Sequence, residues 1–232
     1  AAASVKTVSG IAAASVKTVM NEALVLIKDI ATVTSYTQAA SSGNYGVNMS
    51  YDEDNDFVYI QYPRNGGGGA AVVGSFNSTD QDVDFGSEQT IESSNAFSGN
   101  SCDYDKYNNR IWSAWIGGGD NTIYARCGTI GSDKSISWGT TLTIQGGNNS
   151  VSNYNQGLIQ QGLAVDQSTG KCLVVWNNAA DSFGGASSHH PNGVILTVDT
   201  SDNSITKSNA VRMATGGSGE SYPIMLCHYD PD

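Results

Sequence analysis

Residues 51 to 62 read "YDEDNDFVYIQY", and the frame returns at 104 to 115, "YDKYNNRIWSAW", and at 165 to 176, "VDQSTGKCLVVW". In each, an Asp follows a hydrophobic residue, a polar turn comes next, and an aromatic stands ten residues after the Asp. The pairs are Asp52 with Tyr62, Asp105 with Trp115 and Asp166 with Trp176. Asp230, in "PIMLCHYDPD", starts the frame again, so the repeat Asp residues are spaced by 53, 61 and 64. Self-similarity at such a period signals a repeat architecture, and it decides the fold before local propensity does.

Working outward from the frame, each unit offers four strand-like segments. The first has "GVNMSY", "FVYIQY", "AAVVGSF" and "VDFGSEQTI"; the second "SCDY", "RIWSAW", "IYARCGTI" and "ISWGTTLTI"; the third "GLAV", "KCLVVW", "GVILTV" and "ITKSNAVRM". The units fall at about 46–99, 100–159 and 160–222, with a partial fourth at 223–232. Four short strands per unit of this length predict an all-β, β-propeller-like array of four-stranded blades.

The second strand of each unit gives this reading its physical basis. Alternate side chains of a strand point to opposite faces. One face therefore carries Val58, Ile60 and Tyr62, then Ile111, Ser113 and Trp115, then Cys172, Val174 and Trp176. The other face is also largely apolar, with Tyr59, then Trp112 and Ala114, then Leu173 and Val175. A strand apolar on both sides must be covered on both, and face-to-face stacking of blades does that. Tyr62, Trp115 and Trp176 are accordingly expected between blades. Asp52, Asp105, Asp166 and Asp230 are expected as structural turn residues, their carboxylates binding nearby backbone amides.

Three units give about 12 strands, fewer than the roughly 16 of the smallest propellers. The terminal "HYDPD" stops where a second strand should open, which would leave an edge that a native protein has to cover. The chain does not begin with Met either. The expectation is a segment of a larger assembly that contacts its neighbours through residues 1 to 35.

Composition narrows the function classes. A net charge of −11, with no basic patch, speaks against nucleic acid. No run of about 20 apolar residues predicts membrane insertion. Cys102, Cys127, Cys172 and Cys227 lie 25 or more residues apart, so no CxxC pair suggests zinc or redox work, and free thiols are expected.

The candidate chemistry is thin. Asp52, Asp54 and Asp56 resemble half a calcium loop, but Phe57 stands where that loop needs Gly and no Glu closes it. "DQDVDFG" at 80–86 has its Gly one place late, and His189 and His190 have no third ligand in view. No metal and no cofactor is expected. Glycoside hydrolysis on a propeller would want clustered arginines, yet the chain holds only Arg64, Arg110, Arg126 and Arg212. The glycines of "NGGGGA" lack the Lys and Ser/Thr of a phosphate-binding loop. Trp112, Trp138 and Tyr154 are the aromatics to consider for sugar stacking, although core or seam packing is the default role of a Trp in a strand.

The N-terminus has a repeat of its own. "AAASVKTV" occupies Ala1 to Val8 and again Ala12 to Val19, a period of 11. Its Val and Thr residues and the intervening Ser9–Gly10 favour strand or extended structure over helix. Residues 1–45 are read as an attachment or oligomerisation segment ahead of a repeat domain at 46–232.

"ASVKTVSGIAAASVKTV" resembles the short tandem A-S-[IV]-K-x-[VI]-x-G repeats of structural proteins in tailed, especially marine, bacteriophages. "YDEDNDFVYIQY", "GGAAVVGSF" and "VDFG", with "ARCGTI" and "ISWG" in the second unit, resemble the tail-fibre and virion-appendage repeats that run "YD…VVVxY…GxAVVGT…ISFG". Unit three departs from that run at "ITKS". The resemblance implies a virion protein, not an enzyme, with structural or host-attachment duty. Its implied partners are other virion proteins, copies of itself and a host-surface glycan. A free lectin-like propeller is the alternative, and a glycosidase a weaker one.

Overall fold

The computed structural model describes residues 7–8, 11–12, 46–64, 67–77, 82–93, 97–117, 122–145, 162–178 and 190–213. All regular structure among these residues is β. Residues 1–36 and 75–84 form one compact unit, and residues 37–74 and 85–232 form the other. In the first, β1 (Thr7–Val8) pairs antiparallel with β2 (Ile11–Ala12), Thr7 opposite Ala12 and Val8 opposite Ile11. The predicted boundary at 45/46 and the partial unit 223–232 with Asp230 fall outside what the described residues cover.

The three repeat units form three antiparallel sheets of five strands each. Sheet 1 holds β3 (Asn48–Asp52), β4 (Phe57–Pro63), β5 (Gly69–Asn77), β6 (Asp82–Phe85) and β7 (Gln89–Glu92). Sheet 2 holds β8 (Ser98–Asp105), β9 (Arg110–Gly117), β10 (Thr122–Ile130), β11 (Ile136–Trp138) and β12 (Leu142–Gln145). Sheet 3 holds β13 (Leu163–Asp166), β14 (Lys171–Asn178), β15 (His190–Asp199), β16 (Ser204–Lys207) and β17 (Val211–Arg212). The strand order is the same in all three: first, second and third strands in sequence, with the last two both on the third.

The count of five corrects the predicted four, and the reason is local. "VDFGSEQTI", "ISWGTTLTI" and "ITKSNAVRM" each read as one strand, but each breaks in its middle and resumes on the same partner. In sheets 1 and 2 the resumed half pairs across a bulge, at Gly69/Ala70 and at Ile123/Tyr124. A bulge puts an extra residue on one side of the ladder and bends it.

Two hydrophobic clusters account for most of the core. One joins sheets 1 and 2 through Tyr59, Ala71 and Val73 on one side and Tyr104, Ile111 and Trp115 on the other. The other joins sheets 2 and 3 through Trp112, Ala114, Ala125 and Cys127 against Cys172, Val174 and Trp176. Sheet 2 is thus covered on both faces, as the alternation in "RIWSAW" demands; β9 is buried from Ile111 to Gly117. Each fully buried aliphatic or aromatic side chain contributes about 1.5–3 kcal/mol. The first strands β3, β8 and β13 are serial neighbours, β8 lying beside both others.

Candidate functional site

The repeat Asp residues build one turn three times. Asp52 Oδ1 accepts the backbone N–H groups of Asp54 and Asn55 at 3.1 Å each, and its Oδ2 accepts from Asn55 Nδ2 at 2.9 Å. Asp105 accepts the N–H of Asn108 at 3.0 Å and Asn108 Nδ2 at 2.8 Å. Asp166 accepts the N–H of Ser168 at 2.9 Å and the hydroxyls of Ser168 and Thr169 at 2.6 Å each. Four residues after each Asp the backbone turns left-handed, at Asp56 (φ 57°), Asn109 (φ 54°) and Gly170 (φ 67°). Asp, Asn and Gly are the residues that tolerate that region best. At Gly170 a side chain would also run into the Asn108 amide.

Asp105 goes furthest inward. It is fully buried and also accepts the indole N–H of Trp112 at 3.3 Å. Its oxygens are committed to its own turn and to a core tryptophan, which leaves little for a substrate.

Trp115 and Trp176 are buried in different clusters, Trp115 between sheets 1 and 2 and Trp176 between sheets 2 and 3. The Trp115 ring stacks on Tyr124 at 5.7 Å between centroids and lies 5.4 Å from Phe97. Phe97 sits over Gly69, whose missing side chain leaves the space for its ring. Tyr62 differs from the expectation. Sheet 1 meets sheet 2 through its other face, so the aromatic that β4 sends into that seam is Tyr59. Tyr62 is half-buried, and its hydroxyl donates to Glu88 Oε2 at 2.6 Å. Burial, with the Glu88 carboxylate second, pushes its pKa up. The Tyr62 hydrogen bond, supported by Arg64 at 2.6 Å, holds the Glu88 carboxyl below its usual range.

Polar residues stitch the sheets together in ways that the frame did not signal. Two residues before each of the first two repeat Asp residues stands an acceptor for the next sheet. Ser50 Oγ accepts the N–H of Tyr104 at 2.9 Å, and Asp103 Oδ2 accepts the N–H of Val165 at 3.0 Å. One residue after the Asp, Lys106 pairs with Glu53 at 2.8 Å. The equivalent Gln167 bridges the Lys106 N–H, at 2.9 Å, and the Tyr104 carbonyl, at 2.7 Å.

Between sheets 1 and 2 lies a closed polar network. Gln61 Oε1 accepts from the Tyr59 hydroxyl at 3.0 Å and from Ser113 Oγ at 2.7 Å. Gln61 Nε2 donates to Asn100 Oδ1 at 2.9 Å, and Asn100 Nδ2 donates to the Gly46 carbonyl at 2.7 Å. Gln61, Asn100 and Ser113 are all buried. A satisfied buried network of this kind fixes register. Its one signal in the sequence was a lone Gln in "FVYIQY" and a lone Ser in "RIWSAW".

Among the described residues no three His, Cys, Asp or Glu side chains converge on a point. Asp54 and Asp56, of the half calcium loop, accept hydrogen bonds from the hydroxyls of Tyr104 and Tyr51 respectively. Cys102, Cys127 and Cys172 are free thiols. Of the aromatics considered for sugar stacking, Trp112 is buried. Trp138 is half-buried, with the Arg126 guanidinium 5.7 Å from its ring centre. Among the described residues, the aromatics that stand exposed are Tyr51, Phe76 and Tyr107. Tyr154, His189, His228 and Cys227 lie outside the described residues, as does the side chain of His190. No helix among the described residues is long and apolar enough to cross a membrane.

No family model matches the chain, and no curated protein does. Among solved structures it is similar to the crystal structure of a protein from Lactobacillus plantarum, at 11% identity and a TM-score of 0.38. That match covers 72% of this chain and 56% of the other, so the chain spans little more than half the length of its neighbour.

Proposed function

We propose that the chain is a structural component of a phage virion appendage, a tail fibre or similar, built from propeller-like blades. The observation that carries this reading is the use made of the repeated polar residues. Asp52, Asp105 and Asp166 close turns, and Ser50, Asp103 and Gln167 fasten one sheet to the next. Repetition here serves a scaffold, and these repeated side chains are occupied in holding it. Three sheets of one strand order, with their first strands side by side, suit blades arranged about a common axis. The resemblance of the N-terminal tandem and of the unit motifs to phage appendage repeats supplies the biological setting.

On this reading the protein is not an enzyme and works in the virion, with other virion proteins or copies of itself as partners and a host-surface glycan as its target. Immunogold electron microscopy of particles from the native source tests it. Label on a tail appendage is the expected result, and label absent from every particle overturns the reading. The lectin-like alternative draws on exposed Tyr51 and Tyr107. It predicts glycan-array binding by a protein that no particle carries.

A further inference from the structure

Among the described residues, the sheets at the two ends of the stack leave partly open some positions that the internal seams bury: Val58, Ile60, Tyr62 and Leu173 are half-buried, while Val175 is buried. In β4, Val58, Ile60 and Tyr62 stand at the places of Ile111, Ser113 and Trp115 in β9, 53 residues earlier. In sheet 2 that face packs against sheet 1 and is fully buried. In sheet 1 it carries Met49, paired with Ile60, and Tyr51, paired with Val58. Met49 is 70% exposed and Tyr51 50%. Their counterparts in β8, Cys102 and Tyr104, are half-buried and buried.

Sheet 3 repeats the pattern with the opposite face. Leu173 stands where β9 has Trp112, and its cross-strand partner Ile195 stands where β10 has Cys127. Trp112 and Cys127 are wholly buried against sheet 3. Ile195 is 39% exposed, and beside it Val211 and Met213 are 62% and 51% exposed. Together with Leu173 they line an open, apolar cavity of about 200 Å³, with Ser208 as its polar member.

We infer that copies of this chain associate head to tail, the outer face of sheet 3 in one copy packing on the outer face of sheet 1 in the next. Among the described residues, the two faces are the unmatched halves of a seam that the molecule already makes twice. Their chemistry also matches. The seam between sheets 1 and 2 is polar at its centre, through Gln61 and Ser113, whereas that between sheets 2 and 3 is apolar. Leu173 and Ile195 facing Val58 and Ile60 reproduce the apolar kind. A contact between two different faces of one molecule is heterologous, and it closes as a ring or runs on as a filament. A closed pair would hold six such sheets, within the four to eight blades of ring-shaped propellers. Ala164 stands where Ser50 and Asp103 carry their acceptors, so the junction between copies lacks that bond and is weaker than the internal seams. The inference rests on the blade-like stacking in the proposed function and not on the virion.

Sedimentation of the full chain over a range of concentrations tests it. Wild type is expected to self-associate, and more so at higher salt, which screens the net charge of −11 on each copy. Met49→Lys blocks the sheet 1 face and Val211→Lys the sheet 3 face. Each is expected to weaken association by about tenfold or more. Both sites are exposed, so the folds should hold, and circular dichroism checks them; Met213→Lys replaces Val211→Lys if that variant unfolds. Mixing the two blocked variants restores one good junction, and a one-to-one complex is expected. A wild type that stays monomeric throughout overturns the inference, whatever else covers the faces. So does a mixture that fails to pair, since a junction of like faces would give that result. Neither outcome bears on whether the chain sits in a particle.

Discussion

Asp103 Oδ2 accepts the backbone N–H of Val165 at 3.0 Å, a side chain of one sheet holding the first strand of the next. Ser50 does the same for Tyr104, one unit earlier. The stack is therefore joined near its first strands by polar bonds, and the second and third strands of sheets 2 and 3 meet by apolar packing. Replacing Asp103 by Ala leaves the Val165 N–H without that acceptor and should cost about 1–3 kcal/mol. Asp103→Asn keeps a carbonyl oxygen and should cost less than half of the Ala change. Urea unfolding measures both, and equal losses for the two variants would mean that the charge, not the acceptor, matters.

The three repeat Asp residues should differ in what their removal costs, although they occupy one place in the frame. Asp105 is fully buried and holds Trp112 as well as its own turn, so Asp105→Ala should lose about 2–3 kcal/mol. Asp166 is half-exposed and bonds within its turn, so Asp166→Ala should lose about 0.5–2 kcal/mol. Chemical unfolding of the two variants side by side gives the order. A reversed order would show that the Trp112 contact contributes little.

Much of this architecture was legible in the sequence because it follows from alternation. Apolar residues on both faces of "RIWSAW" require cover on both, and sheet 2 has it. The Asp turns were legible as well, since "DEDN", "DKYNN" and "DQSTG" are turn formers by composition. What stayed hidden depends on which sheets meet. Tyr62 fills the same place in the frame as Trp115, but a frame cannot say that sheet 1 meets sheet 2 by its other face. The acceptors Ser50 and Asp103 share a position without sharing a residue type, so a search for repeated letters passes over them. The split of each fourth strand was not legible either, although Gly139 and Ser208 stand in the breaks of sheets 2 and 3.

Trp115 and Trp176 fill separate seams, and each should be costly to truncate. Trp115→Ala and Trp176→Ala should each lose roughly 3–5 kcal/mol. Tyr62→Ala, on a half-buried face, should lose less than either. Acrylamide should quench the native protein weakly, because Trp112, Trp115 and Trp176 are buried and only Trp138 is partly open. Free quenching of Trp115 and Trp176 in the native state would sink the packing of the three sheets.

Alkaline pH should destabilise the protein through its buried thiol and phenol. Burial pushes the Cys127 thiol well above its ordinary value, with Asp105 nearby adding to the effect. Burial likewise raises the Tyr59 phenol, which lies in the network with Gln61. Both groups are neutral when protonated, so the folded state keeps its protons to a higher pH than the unfolded chain does. The unfolded thiol ionises near pH 8.5 and the unfolded phenol near pH 10. Below about pH 8.5 the stabilisation from Cys127 is fully present, and it declines as pH rises from there towards the raised folded pKa. The slope is at most about 1.4 kcal/mol per pH unit for one proton, and Tyr59 adds its own share above about pH 10. Urea unfolding through this range should show falling stability, and Cys127→Ala should flatten the first part of the fall. Iodoacetamide should modify Cys127 only as fast as the protein opens. Stability that holds level from neutral pH to beyond pH 10, or rapid native labelling of Cys127, would contradict the buried thiol between sheets 2 and 3.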